Sequence, residues 1–153
     1  MIKTFTCQTK FFITPATNET RQDIVSLLQS EKLPVEDLPV SLANFFIAHN
    51  NGEIIAAIGL ERYENYGLLR SLVVHKDFRN NNIAGKLITA LEGKAKKDGV
   101  EILYLLTETA PDYFAKKGYE KISREDVPEA LKQSSEFSHV CPVSAVVMKK
   151  QLL

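Results

Sequence analysis

The chain has no excess of charge of either sign: 19 Lys and Arg balance 19 Asp and Glu. A nucleic-acid binder usually carries a basic surplus, so no nucleic-acid partner is expected. Long apolar runs are missing as well. The opening stretch MIKTFTCQTKFFI is too short in apolar residues for a signal peptide or anchor, and no later stretch reaches membrane-spanning length. No membrane association is expected, and the setting is read as cytoplasmic. Cysteine is scarce. Cys7 and Cys141 lack partners at metal-ligand spacing, and one pair so far apart makes a poor case for a disulfide in a reducing compartment. No metal site is expected, and internal repeats, low-complexity tracts and linkers are absent.

One further absence is local. No acidic residue occurs between Asp77 and Glu92, although a helix start falls inside that interval. Helix N-termini attract Asp and Glu because their free amides and the macrodipole leave them partly positive. Arg79 and Lys86 add positive charge here instead. The pattern is that of a site for an anion, and local positive charge on a neutral chain suits a small anionic ligand.

What the chain does contain is ordinary for a globular protein: 44% hydrophobic and 25% charged residues over 153 positions, enough for one domain spanning 1–153. Phe11 to Ala16 reads as a strand, and Thr17 to Thr20 as a capping cluster ahead of a helix carrying Ile24, Leu27 and Leu28. Phe45–Ala48 and Ile54–Leu60 flank the turn Asn50-Asn51-Gly52, and Leu68–Val74 follows, giving an antiparallel meander. Ile83, Leu87, Ile88, Leu91 and Ala95 then repeat at helical spacing, and Lys94, Lys96, Lys97 and Gly99 close that helix. Ile102–Thr107 is a buried strand, expected parallel to its predecessor because a helix joins them. Ala110-Pro111 opens a short helix ended by Gly118-Tyr119; a further short helix is expected near Pro128–Leu131 and a last strand over Val143–Lys149.

The joint before the long helix reads Val74-His75-Lys76-Asp77-Phe78-Arg79-Asn80-Asn81-Asn82-Ile83-Ala84. It resembles motif A of the GNAT superfamily of acetyl-CoA-dependent N-acetyltransferases, whose usual form is Arg/Gln-x-x-Gly-x-Gly/Ala after a strand ending Val-x-Pro-x-Tyr-Arg. Lys76 replaces the common Pro, and Asn82 replaces a Gly. Asn is the best non-Gly tolerant of left-handed backbone, so the run Asn80–Asn82 is a plausible substitute. The element order matches the α/β (α+β) GNAT fold, a mixed central sheet with splayed strands flanked by helices. Leu69 to Val74, with the tail Ser135–Ser138 and Cys141–Ala145, is similar to small amino-acid N-acetyltransferases, including those associated with arsenic-resistance operons, and to N-acetylglutamate-synthase-like domains.

The resemblance implies acetyl-CoA as donor and a small amine, an amino acid or analogue, as acceptor, with direct transfer. It assigns main-chain contacts with pantetheine to Val73 and Val74. Pyrophosphate contacts fall to the amides of Asn81, Asn82, Ile83, Ala84, Gly85 and Lys86, with Arg79 adding charge or bracing the loop. Thr107 either bonds the pantetheine arm or caps a helix. Glu61, at the end of the third strand, is the candidate base, against an ordinary exposed hairpin role. Two departures are visible: Leu68 stands where many relatives carry a glutamate base, and Phe114 where many carry a tyrosine acid; Tyr113, one residue early, points about a hundred degrees away on a helix and is not expected to take that role. Ser144 and Cys141 are tail candidates for that duty. Arg70 is either a fork for a substrate carboxylate or the partner of Glu61 or Glu64 in an ion pair. His49, His75 and His139 are isolated. Exposed edge strands make a homodimer reasonable. The alternatives in function are an acyl-CoA-binding sensor without chemistry and an acetyltransferase of protein termini or lysines.

Overall fold

A computed structural model describes residues 10–134, 137 and 145–153. Cys7, His139, Cys141 and Ser144, the expected start of the last strand at Val143, and most of the tail resemblance lie outside these residues.

Seven strands form one sheet: β1 Phe12–Pro15, β2 Phe45–Asn50, β3 Glu53–Tyr63, β4 Tyr66–Val74, β5 Ile102–Thr107, β6 Glu120–Ile122 and β7 Val146–Gln151. Among the described residues four α-helices accompany them: α1 Arg21–Ser30, α2 Ile83–Lys97, α3 Pro111–Lys116 and α4 Glu129–Lys132. The spatial order is β1-β2-β3-β4-β5-β7-β6. All neighbours are antiparallel except β4 and β5, which α2 joins and which run parallel. The expected meander is β2-β3-β4, and its first turn carries φ of 51° at Asn51 and 81° at Gly52. Both central residues of a type I′ hairpin turn need such values, which is why Asn-Gly serves there.

The sheet is covered on both faces. Ala48, Ala56 and Ile58 pack with Ile83, Leu87, Ile88 and Leu91 of α2, whereas the alternate residues Ile47 and Ala57 pack with Ile24, Leu27 and Leu28 of α1. That alternation is the period-two signature of a two-sided sheet. Val127 and Leu131, around α4, cover Leu68, Tyr104 and Val147. Both Gly-terminated helices, α2 and α3, close with the paired hydrogen bonds of a Schellman cap, Gly99 N–H to Lys96 and Val100 N–H to Ala95 in the first, Gly118 N–H to Ala115 and Tyr119 N–H to Phe114 in the second. Lys150 Nζ and Tyr119 Oη both donate to Glu92, tying α2 to β7 and to the turn after α3. Burial and the Glu92 carboxylate push the Tyr119 phenol far above its ordinary range.

Three elements differ from the sequence expectation. β6, three residues long, has no apolar pattern of its own and exists through its pairing with β7. The cluster Thr17–Thr20 makes a 3-10 turn over Asn18–Thr20 before α1 begins. The third is a bulge in β4. Gly59 pairs with Arg70 and Ala57 with Val73, so Ser71 and Leu72 together oppose the single residue Ile58, and Ser71 takes a φ of 57°. Strict alternation puts Arg70 on one face with Leu68, Leu72 and Val74. The extra residue reverses the phase. Leu69, Leu72 and Val74 consequently face the α2 side, and Val73 the α1 side.

Gly59 lies under the ring of Phe45, where a methyl group would overlap the ring carbons. Phe45 is 1% exposed and has no room to retreat. Gly59→Ala is therefore expected to cost about 1–3 kcal/mol as an overpacked core. Urea denaturation checks it, and Gly59→Ala combined with Phe45→Leu should recover most of the loss.

Candidate active site

β4 and β5 pair only from Tyr66–Leu68 to Ile102–Tyr104. Beyond that point the strands separate, and the outer edge of β4 from Leu69 onward has no strand partner among the described residues. A cleft of about 470 Å³ fills the gap. Leu69–Leu72 form one wall and Leu105–Thr109 the other; Tyr113 and Phe114 of α3 close one side, and Glu31, Leu33 and Pro34, following α1, another. Main chain that has lost its neighbour keeps donors and acceptors available to an extended ligand.

The start of α2 is tied to the cleft wall through Arg79, which pairs with the lining residue Glu31, while residues 79–86 themselves are not in the cleft lining. Asn82, its N-cap, has φ 59° and ψ 25°, and no side chain caps the helix. Left-handed backbone at a non-glycine residue favours Asn, in agreement with the residue found. The amides of Ile83, Ala84 and Gly85 stand in the first turn, where no intrahelical acceptor exists. The expected set is narrower at one end: the Lys86 amide donates to Asn82 O and is spent inside the helix. Lys86 Nζ sits 5.6 Å from the centre of the Phe11 ring. Asn81 Nδ2 donates to Phe78 O, fixing the turn from within. Arg79 braces it from outside, donating to Val74 O and pairing with Glu31. A Cβ added at Gly85 would strike Asn82 Oδ1 and stand 3.0 Å from Lys117 Nζ. Lys117 thus brings a second ammonium to the cradle. Nothing in the local sequence signals it, because only the packing of α3 brings it there.

The side walls carry polar groups of three kinds. Thr107, 9% exposed, accepts the Ala110 N–H at 3.1 Å and so caps the approach to α3 while its hydroxyl still faces the cleft wall. Tyr113 and Phe114 both line the cleft, and burial pushes the Tyr113 phenol up, which keeps it protonated at neutral pH. Arg70 lines the cleft and is 3% exposed. Its guanidinium holds Glu61 Oε2 at 2.8 Å and Asp37 Oδ1 at 2.9 Å, and it also donates to Asp37 O and Ser71 Oγ. The ion pair with Glu61 is one of the two readings of Arg70; the pairing with Asp37 was not visible in the sequence. Glu61 Oε1 accepts the Tyr63 hydroxyl at 2.8 Å. Glu61 is not in the cleft lining and sits behind Arg70.

The histidines keep local roles. His75 Nδ1 accepts the Asp77 N–H, and His49 stacks on Phe12 at 6.0 Å. Among the described residues no three His, Cys, Asp or Glu side chains cluster as metal ligands would, and no helix is long and apolar enough to cross a membrane.

A model of the acetyltransferase (GNAT) domain family matches residues 41–121, more than half of the chain. The amino-acid acetyltransferase of Mannheimia succiniciproducens is 31% identical over 96 residues, covering 61% of this chain but only 22% of that protein. The chain therefore spans less than a quarter of the length of that relative. Among solved structures, N-acetylglutamate synthase from Neisseria gonorrhoeae, complexed with coenzyme A and L-arginine, superposes with a TM-score of 0.78 at 16% identity, over 92% of this chain and 33% of that one. A GNAT-family acetyltransferase from Staphylococcus aureus Mu50 gives 0.77 at 21% identity, over 94% of this chain and 100% of the other. These likenesses establish the fold.

Burial and the Glu61 carboxylate push the Tyr63 phenol up to about 12, against opposing influences from Arg70 and Ser134. The folded state holds this proton beyond the pH at which the unfolded chain releases it. The associated stability is complete below pH ~10 and lost as pH rises through about 12. Absorbance titration near 295 nm should show one late phenolate, and Glu61→Gln should bring it partway down, since burial remains. A Tyr63 transition unmoved by that substitution contradicts the contact.

Proposed function

The chain belongs to the acetyltransferase (GNAT) domain family, and from that premise we propose that it is an acetyl-CoA-dependent N-acetyltransferase. Its acceptor is a small primary amine, an amino acid or amino-acid analogue, acetylated by direct transfer. The observation that carries the reading is the continuity of two features: the unpartnered edge of β4 runs into the uncapped start of α2. A pantetheine chain needs backbone partners and a pyrophosphate needs converging N–H groups, and the two stand in that order along the cleft. Val73 and Val74 supply the first; Asn81, Asn82, Ile83, Ala84 and Gly85 the second. Arg79, Lys86 and Lys117 surround the phosphates, and Thr107 lies beside the pantetheine arm.

Acetyl transfer requires an uncharged amine and a place for its proton. Glu61, with 14% of its side chain exposed, is open to water. In this reading it takes the proton through one water, and Arg70 holds its carboxylate in place. The protonated Tyr113 phenol stands in the cleft wall to serve the departing thiolate. The likeness to amino-acid acetyltransferases and to an N-acetylglutamate synthase supports an amino-acid acceptor. The finer likeness to arsenic-resistance-associated enzymes belongs to the same reading, as do one domain over 1–153, a cytoplasmic setting and a homodimer contacting through the exposed Phe12 edge. An acyl-CoA sensor is the competing reading, favoured by apolar Leu68 and Phe114, both buried in the core.

Thiol release from acetyl-CoA across a panel of amino acids should reveal at least one acceptor. Glu61→Gln should then lower kcat by about 100-fold while calorimetry finds coenzyme A binding retained. Binding without turnover for any amine decides for the sensor. At the cradle, Asn82→Gly should keep coenzyme A affinity, and Asn82→Val should weaken it, because a β-branched residue in left-handed backbone costs roughly 1–2 kcal/mol. Equal affinities for the two variants would remove the cradle from the account.

A further inference from the structure

We propose that the Ser71 hydroxyl donates to the thioester oxygen of the bound donor and to the oxyanion that forms on it, with Arg70 as the residue that aims it. The inference rests on the reading of the cleft as an acetyl-transfer site. Ser71 and Arg70 both line that cleft. Arg70 Nε donates to Ser71 Oγ at 3.1 Å. A hydroxyl has one hydrogen to give and two lone pairs with which to accept, whereas a guanidinium only gives. The Ser71 hydrogen therefore points away from Arg70, and among the described residues it has no acceptor.

Three features suit this hydroxyl to a reacting carbonyl. A hydroxyl that accepts from a cation is polarised and donates the more strongly. Arg70 is held in place while it does so, because its Nη1 and Nη2 are committed to Glu61 and Asp37. The backbone supplies the second feature. Ser71 is the residue of the β4 bulge with φ of 57°, a conformation that glycine would adopt with less strain but without a hydroxyl. Strain kept at one residue of a cleft wall points to a task for its side chain. The third is position. With the donor's phosphates at the start of α2 and its pantetheine arm along Val74 and Val73, the next residues back along β4 are Leu72 and Ser71, which meet the acyl end.

In the transfer the neutral amine attacks the thioester carbon, and the carbonyl electron pair moves onto oxygen as the C–N bond forms. Ser71 gives that oxygen a hydrogen bond and keeps its own proton. Collapse restores the carbonyl and breaks the C–S bond; the sulfur leaves with its electron pair and takes the Tyr113 proton, while the surplus proton on nitrogen passes through water to Glu61. Solvent returns a proton to Tyr113. Charge on the oxygen is larger in the intermediate than in the thioester, so the bond tightens along the reaction and acts on rate more than on binding.

The test uses the full chain with acetyl-CoA, unlabelled and isotopically labelled at the carbonyl carbon. The infrared difference between the two isolates the carbonyl stretch of the bound donor without any acceptor. Ser71→Gly removes the hydroxyl and suits the left-handed backbone; Ser71→Ala removes it and keeps the Cβ. The stretch should lie lower in the wild type than in either variant, while calorimetry finds coenzyme A affinity unchanged. With an acceptor from the thiol-release panel, kcat should fall by about 100-fold in Ser71→Gly at a nearly constant KM for acetyl-CoA. A Ser71 that only shapes the strand would leave the stretch where it is. Equal frequencies in the wild type and in whichever variant folds, or an undiminished kcat, overturn the proposal. A protein that binds no coenzyme A fails at the earlier reading instead.

Discussion

The structure depends on the irregularity in β4 at Ser71. Two residues there face one on β3, and the left-handed Ser71 backbone turns the strand's second half. Bulges bend and twist the strand that carries them. β4 leaves β5 just before this point, after Leu68 and Tyr104, and does not rejoin it. The same residue sets the facing of the side chains. Leu72 and Val74 turn to the α2 core, and Arg70 stays on the side from which Asp37 and Glu61 approach. One inserted residue thus opens the cleft and places the guanidinium in its wall.

The rest of the molecule is built to tolerate that opening. The α2 helix alone buries Ile83, Leu87, Ile88, Leu91 and Ala95. Against this background α2 stands apart: among the described α-helices it is the one whose first turn holds no acidic residue, and its N-cap Asn82 is left-handed. A helix start of that kind is where an anionic ligand completes the structure.

The sequence makes legible whatever is carried by local periodicity or by a short run. The bounds of α2 and β5, the Asn-Gly hairpin and the uncapped helix start all follow from neighbouring residues. What it hides depends on distant ones. β6 is defined by its partner, not by its own three residues. The Ser71 bulge leaves no mark, because Ser is compatible with either backbone and the run Leu68–Val74 reads equally well as a regular strand. Arg70 was recognisable as a charged residue on an apolar strand. Its partner Asp37, far off in a loop broken by Pro34 and Pro39, was not. Lys117 was hidden for the same reason, reaching the start of α2 only through the fold of α3.

The zero net charge of the chain conceals a polar arrangement around the cleft. At the α2 end stand first-turn amides, Arg79, Lys86 and Lys117; at the Arg70 end stand, among the described residues, Asp37 and Glu61 with the Arg70 guanidinium between them. Glu31 pairs with Arg79 and offsets part of the positive end until a stronger anion arrives. Interactions of this kind act over a few ångströms in a partly dry cleft, where they are screened far less than at the surface. A donor with a phosphate-bearing tail and an acceptor with a cationic head would each find the end of opposite sign. The charge distribution therefore constrains the orientation of both ligands before any group touches the reacting atoms, and it does so with side chains whose sum, over the whole chain, is nothing.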